Sequence, residues 1–147
     1  MMRGAVLVAL QFVALGVLLW PGGAAPGLLA WIVIALGVGF GLWALASNRP
    51  GNFNIRPDPK TAGRLIVHGA YRHVRHPMYV ALLIAGAGLV LRDPVISRVL
   101  AYVALIVVLN LKARIEERAM RAHHRGYAAY CARTPRWVPF ARSRVER

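Results

Sequence analysis

The chain contains no Lys, Arg, Asp or Glu from Gly4 to Ser47. A soluble domain would carry about a quarter charged residues. Here 16% of the 147 residues are charged and 58% are hydrophobic. An apolar stretch of this length offers no polar side to water, so it is typical of a chain that folds in a bilayer. We therefore expect an integral membrane protein.

Four apolar runs predict about four transmembrane helices. They are Gly4 to Trp20, Leu28 to Ala46, about Pro77 to Leu91, and about Val95 to Leu111, the last continuing as a polar helix. A span needs roughly 17–25 residues. The second run fits this length, the first and fourth lie at its lower limit, and the third is short unless it is tilted. A signal peptide is the alternative interpretation of the first run, but the second run follows at once and favours an uncleaved hairpin.

The connections between these runs predict the domain organisation. Pro21 to Pro26 and Arg92 to Pro94 are short turns, so we expect an all-α membrane bundle of two helical hairpins. The chain is then a single membrane domain over 1–147. Its parts are an N-terminal hairpin at 1–47, a polar connection at 48–76, and a second hairpin with a helical C-terminal tail at 77–147.

The basic residues predict the orientation of the bundle. Of the 19 Lys and Arg residues, 17 lie on one side of the predicted spans, and only Arg92 and Arg98 fall in the opposite turn. The positive-inside rule makes the basic side cytoplasmic, with both termini there and the bundle in the inner membrane. The net charge of +14 is also typical of nucleic-acid-binding proteins. Because these residues adjoin apolar runs, we expect anionic membrane lipids as partners and no nucleic acid.

A polar cluster, Tyr71-Arg-His-Val-Arg-His-Pro-Met-Tyr79, stands directly before the third run. Pro77 suits the first position of a helix, where its missing N–H costs nothing. His76 then lies at the helix entrance, beside free N–H groups that attract a carboxylate or a phosphate. Pro77 also interrupts any helix through His73 and His76, so we expect no metal site. Tyr79 on its own would be interpreted as an aromatic-belt residue.

A second polar cluster contains Glu116 and Glu117, at the end of the fourth run. One interpretation is a pair of surface ion pairs, Lys112 with Glu116 and Glu117 with Arg121. The other is a binding site for a cationic ligand, because two adjacent carboxylates stand among many cations. Both polar clusters adjoin the same hairpin, which favours a site at the membrane face. A non-catalytic membrane protein whose basic face docks anionic lipid or a partner is the alternative.

Three ordered blocks resemble the isoprenylcysteine carboxyl methyltransferases and the related phospholipid methyltransferases. Gly69 to Tyr79 is similar to the pattern G-x-Y-x-x-x-R-H-P-x-Y of that family. The pair Glu116-Glu117 follows, and Tyr127 to Pro139 is similar to the ending Y-x-x-Y-x-x-R-V-P-R-W-I-P. The resemblance covers about Leu65 to Phe140. The linker His123 to Gly126 is one residue shorter than in the family, which leaves His123 and His124 without a role.

The resemblance implies a methyltransferase that takes its methyl group from S-adenosylmethionine and acts on a lipid-like or small hydrophobic acceptor. The cofactor-binding residues it implies are Arg64, Leu65, Ile66, Val67, Tyr71, His76, Pro77, Met78, Tyr79, Glu116 and Glu117. The catalytic residues it implies are Arg75, His76, Arg114 and Arg136. For a carboxylate acceptor, Arg114 or Arg136 would orient the oxygen, whereas an amine acceptor requires a carboxylate to take a proton. The sequence leaves a phospholipid amine, a carboxylate and a thiol all open.

Overall fold

The computed structural model of the protein describes residues 2–22, 25–48 and 65–139. Within these ranges the chain forms helices and no strand. The helices are α1 (Met2–Leu19), α2 (Leu28–Ser47), α3 (Ala70–His73), α4 (Pro77–Arg92), α5 (Ile96–His123) and α6 (Tyr127–Arg133). The predicted all-α class is therefore confirmed. Each of the four predicted apolar runs forms a helix, and α5 continues beyond its apolar part as a polar helix.

The lengths of the helices follow the sequence prediction. The helices α2 and α5 are long and apolar enough to cross a membrane, whereas α1 and α4 are shorter apolar helices. The 16 residues of α4 rise about 24 Å at 1.5 Å per residue, less than the roughly 30 Å hydrocarbon core of a bilayer. Large apolar side chains such as Phe12 and Leu36 are about three-fifths exposed. Such an outer surface suits lipid better than water, while the arrangement of four spans stays a prediction.

The packing crosses between the two predicted hairpins. The helix α2 lies mainly against α4, α1 lies mainly against α5, and α4 also contacts α5. In the part of the chain that the structure describes, α1 and α2 barely touch each other. Each helix of the first hairpin is therefore held by a helix of the second, so the bundle is one packed unit rather than two independent pairs.

Small residues let α2 and α4 approach closely. A Cβ atom added to Gly37 would lie 2.5 Å from the backbone N of Ala85, and one added to Gly88 would lie 2.7 Å from the Cγ1 of Ile34. Membrane helices commonly pack through small residues in this way, because no hydrophobic force drives them together in lipid. This contact fixes the position of α4, and with it the motif that begins α4.

A contact between Ser47 and Gly69 sets the start of that motif. The Oγ of Ser47 donates to the carbonyl of Trp43 at 2.7 Å and accepts from the N–H of Ala70 at 3.0 Å. Gly69 has a φ of 57°, which favours glycine, and a Cβ there would overlap the Ser47 Oγ. The end of α2 therefore holds the short helix α3 in place.

The opposite end of the bundle is closed by Arg98. Its buried guanidinium binds the Oδ2 of Asp93 at 2.7 Å and donates to the carbonyl of Trp20 at 2.6 Å. These contacts join the turn after α1 to the turn between α4 and α5. The cost of burying this arginine is offset by an ion pair and a carbonyl partner, as burial of a charge requires.

Candidate active site

The site forms where the start of α4, the polar end of α5 and the segment after α6 meet. Pro77 is the first residue of α4 and His76 caps it, so the predicted position of Pro77 is confirmed. The carbonyl of His76 accepts from the N–H groups of Tyr79 and Val80 at 3.0 Å each. The cap therefore fixes the imidazole of His76 at the mouth of the helix.

Glu117 is the buried centre of the site. Its carboxylate accepts from Arg136 at 2.8 and 2.5 Å, from the Nε2 of His76 at 3.2 Å, and from Arg75 at 3.4 Å. Its side chain is only 4% exposed. A carboxylate can be buried at this depth only when cations and hydrogen bonds compensate it. Glu117 is therefore no surface partner of Arg121 but the point that joins α4, α5 and the segment after α6.

Arg75 fastens the C-terminal segment over the site. Its guanidinium donates to the carbonyls of Thr134 and Cys131, both at 2.7 Å, and its backbone N–H donates to the carbonyl of Pro135 at 2.9 Å. The hydroxyl of Tyr130 donates to the carbonyl of Tyr71 at 2.6 Å. The third sequence block is thus held against the first, mostly through backbone carbonyls.

Glu116 has a more open position than its neighbour. Its side chain is 25% exposed. The hydroxyl of Tyr79 donates to its Oε1, and the Nδ1 of His76 lies 3.5 Å from its Oε2. The imidazole of His76 stacks on the ring of Tyr79 with 5.4 Å between ring centres, and Trp137 lies 6.0 Å from the imidazole. Glu116 is therefore the more accessible of the two carboxylates, and it lies beside the aromatic ring of Tyr79.

The two carboxylates set the protonation of the groups between them. Burial disfavours the charged imidazole of His76, but hydrogen bonds to Glu116 and Glu117, with their negative charges, outweigh it and raise the pKa of His76. The hydrogen bond to Glu117 likewise raises the pKa of Arg136. Burial raises the pKa of Tyr71. The site thus favours an imidazolium whose two N–H groups point at two different carboxylates.

The structure brings six of the 14 predicted site residues into contact. Those in direct contact are Arg75, His76, Tyr79, Glu116, Glu117 and Arg136. Of the other predicted residues, Pro77 is buried and Tyr71, Met78 and Ile66 are half-buried. Leu65 packs on the buried tyrosines of α6, and Val67 is 46% exposed.

Other predicted or candidate residues lie elsewhere. Arg114 is exposed on α5, and Arg64 lies outside the described residues. His73 packs against the ring of Trp43, with 5.6 Å between ring centres, and His123 contacts the carbonyl of Ala119 at 2.8 Å. Among the residues with described positions, no three His, Cys, Asp or Glu side chains are grouped to hold a metal ion.

One contact of the site was not predicted. The Nζ of Lys112 donates to the Oε1 of Gln11 at 2.6 Å and lies 5.3 Å from the ring centre of Tyr79. One interpretation of the sequence made Lys112 a surface partner of Glu116, yet Lys112 is only 2% exposed. The sequence signal for this contact was Gln11, the only interruption of the first apolar run. A polar residue in an otherwise apolar span usually has a polar partner within the bundle.

A family model described as phospholipid methyltransferase matches residues 25–126. The chain belongs to the phospholipid methyltransferase family. This family is part of the isoprenylcysteine carboxyl methyltransferase-like group, so the family predicted from the sequence is confirmed. The chain is therefore a membrane-associated member of a methyltransferase family that acts on lipid-like substrates.

The matched residues of the phospholipid methyltransferase family run from the start of α2 to Gly126. They include the first two sequence blocks but not α1 or α6. Neither the curated proteins nor the solved structures contain a match to the chain. The contacts of α1 and α6 with the site are therefore findings of the structure alone.

Proposed function

We propose that this protein is an S-adenosylmethionine-dependent methyltransferase that methylates an amine on a lipid-like acceptor, at the basic face of the membrane. The observation that carries this proposal is the pair of adjacent carboxylates with opposite surroundings. Glu117 is saturated by Arg75, His76 and Arg136. Glu116 stays partly exposed beside Tyr79 and can still receive a cation.

The residues around Glu116 fit this cofactor. S-adenosylmethionine carries a sulfonium cation, an amino-acid end and an adenine. A partly exposed carboxylate suits the cationic groups, and the N-terminal end of α4, with its positive dipole, suits the carboxylate of the amino-acid end. The residues that would hold it are Tyr71, His76, Met78, Tyr79 and Glu116, with the half-buried Leu65 and Ile66 at the edge for the adenine. Bound there, the cofactor would supply a methyl group activated by a positively charged sulfur.

The residues of the site act mainly by position. Because Arg75 fixes the C-terminal segment and Glu117 fixes His76, the groups facing the cofactor and the acceptor are held before binding. Such preorganisation lowers the barrier by removing the need to order the reactants during the reaction. Trp137 lies beside the imidazole of His76 and would limit the access of water on that side.

The site favours an amine over a carboxylate acceptor, because its arginines already have hydrogen-bond partners. Arg75 and Arg136 are engaged by Glu117 or by backbone carbonyls, and Arg114 is exposed on α5. A carboxylate acceptor would have to displace Glu117 from a buried ion cluster. A lipid ammonium, in contrast, is attracted to Glu116, which can take the proton that an amine must lose before it attacks.

The test is methyl transfer by the purified protein in lipid vesicles. The donor is S-adenosylmethionine labelled in its methyl group. The acceptors, compared separately, are phosphatidylethanolamine, a prenylated carboxylate and a prenylated thiol. We expect label in the amine lipid, and Glu116→Gln should lower that rate about a hundredfold because the proton acceptor is lost. Arg118→Gln, an exposed position on the same helix, is the control. Label confined to the carboxylate or the thiol would contradict the amine assignment.

A further inference from the structure

Lys112 and Gln11 form a buried polar pair beneath the site. Lys112 is 2% exposed and lies one helical turn before Glu116 on α5. Its ammonium donates to Gln11 of α1 at 2.6 Å and lies 5.3 Å from the ring centre of Tyr79. An ionisable residue at the inner side of a membrane site is costly, and such residues usually serve a function.

Helix packing alone gives no reason for the pair. The contact between α1 and α5 already has an apolar core that contains Ala14, Leu18, Leu105 and Leu109. Apolar residues of similar volume in place of a buried ionic or polar pair are often neutral or even stabilising. A pair of leucines would therefore join α1 to α5 at least as well, so the pair requires another explanation.

The contacts of Lys112 lead towards the reacting side of the site. Its ammonium lies over the ring of Tyr79, an arrangement in which the cation attracts the face of the ring. The hydroxyl of the same ring donates to Glu116, and the opposite charges of Lys112 and Glu116 attract across one turn of α5. One ammonium thus acts on both members of the Tyr79–Glu116 pair.

We propose that Gln11 and Lys112 are positioning residues for methyl transfer. Gln11 holds the ammonium of Lys112, and the ammonium holds the ring of Tyr79 and the carboxylate of Glu116 in the orientation that the reaction uses. The proposal rests on the proposed function, which gives the Tyr79–Glu116 pair its role. It also makes α1, which lies outside the matched residues 25–126, a working part of the site.

The decisive variant is the apolar pair Gln11→Leu/Lys112→Leu. If the pair serves packing only, this variant keeps its thermal stability and its methyl transfer rate. If the pair positions Tyr79 and Glu116, the folded variant loses about tenfold or more in kcat/KM for S-adenosylmethionine, because these two residues also hold the cofactor. Lys112→Arg keeps the charge and should recover part of the lost rate. Phe12→Leu, at an exposed position next to Gln11, is the control, and Gln11→Leu alone replaces the double variant if that does not fold.

A second measurement needs no reaction. Fluorotyrosine incorporation gives a ¹⁹F resonance for Tyr79, which Tyr79→Phe assigns. We expect this resonance to shift or broaden in Gln11→Leu/Lys112→Leu and to stay unchanged in Phe12→Leu. An unchanged resonance in the folded apolar variant would overturn the positioning role. If the resonance shifts but the wild-type protein methylates none of the acceptors, the proposed function fails and the structural link from α1 to Tyr79 stands.

Discussion

Two adjacent glutamates illustrate how position, not residue type, decides the role of a side chain. Glu117 is enclosed by three cationic partners, whereas Glu116 is partly exposed. We expect Glu117→Gln to lower the stability of the protein by roughly 2–4 kcal/mol, because three cationic groups lose their shared counter-charge. Glu116→Gln should leave the stability nearly unchanged and affect methyl transfer instead. Thermal unfolding in detergent measures both, and equal losses in the two variants would contradict this division.

The protonation of His76 gives a pH dependence with a defined sign. Its pKa is raised above the ordinary value of 6.5 by its two carboxylate partners, against burial. A raised pKa in the folded state stabilises the protein fully below pH 6.5, and this contribution is lost as the pH rises through the folded-state pKa. The difference in thermal midpoint between the wild type and His76→Gln should therefore be largest near pH 6 and shrink towards higher pH. A difference that grows with pH would show that His76 is buried in its neutral form.

The sequence predicted the members of the site but not their partners. Tyr79, Glu116 and Glu117 were identified because they stand in recognisable blocks at the ends of apolar runs. The ion cluster of Glu117 depends on residues 19 to 42 positions away in the chain, and no local spacing predicts such contacts. Likewise, the choice of Gln11 as the partner of Lys112 depends on which helix lies beside α5, which the pattern of apolar residues leaves open.

At the scale of helices, the closest contact in the bundle is that of α2 with α4. A Cβ atom at Gly37 would overlap the backbone of Ala85, whereas a Cβ atom at Gly39 would meet nothing within 4 Å. We expect Gly37→Ala to force α2 and α4 apart, lowering the thermal midpoint and displacing the start of α4 with its site residues. Gly39→Ala is the matched control and should be neutral or slightly stabilising, because alanine favours a helix over glycine. If the two variants behaved alike, the close packing of α2 on α4 would be wrong.

Helix positions followed from the sequence, but helix neighbours did not. The four apolar runs predicted the bounds of α1, α2 and α4 and the start of α5 to within about two residues, because a change from apolar to polar side chains marks the end of each run. The end of α5 at His123 was not predicted, because its last part is polar. The short turns favoured pairing within each hairpin, yet α2 packs mainly on α4 and α1 on α5. Small-residue faces such as that of α2 match a partner through backbone shape, a property that hydropathy does not record.

At the scale of the whole molecule, the two ends of the bundle differ in chemistry. One end is closed by the ion pair of Arg98 and Asp93 with the carbonyl of Trp20. The other carries the site, with Glu117 at its centre and basic residues around it. For a helix bundle with polar groups at both ends and an apolar outer surface, we expect the axis to lie along the membrane normal. The proposed site would then lie at one membrane face, where a lipid acceptor could enter from the side and a water-soluble cofactor from the solvent.

The direction of that axis is the last prediction. In the topology predicted from the sequence, 17 of the 19 basic residues fall on the side of the site and only Arg92 and Arg98 on the other, so the positive-inside rule predicts that the site and both termini are cytoplasmic. Reporter fusions after Trp20 and after Arg92 should therefore read as extracytoplasmic, and a fusion after Ser47 should read as cytoplasmic. The short helices α1 and α4 make this a demanding test, because each is shorter than the hydrocarbon core is thick and can span it only where the bilayer thins around the helix. A cytoplasmic signal after Trp20 or Arg92 would mean that α1 or α4 does not span the membrane. The acceptor would then have to reach Glu116 by a path other than the space between four spanning helices.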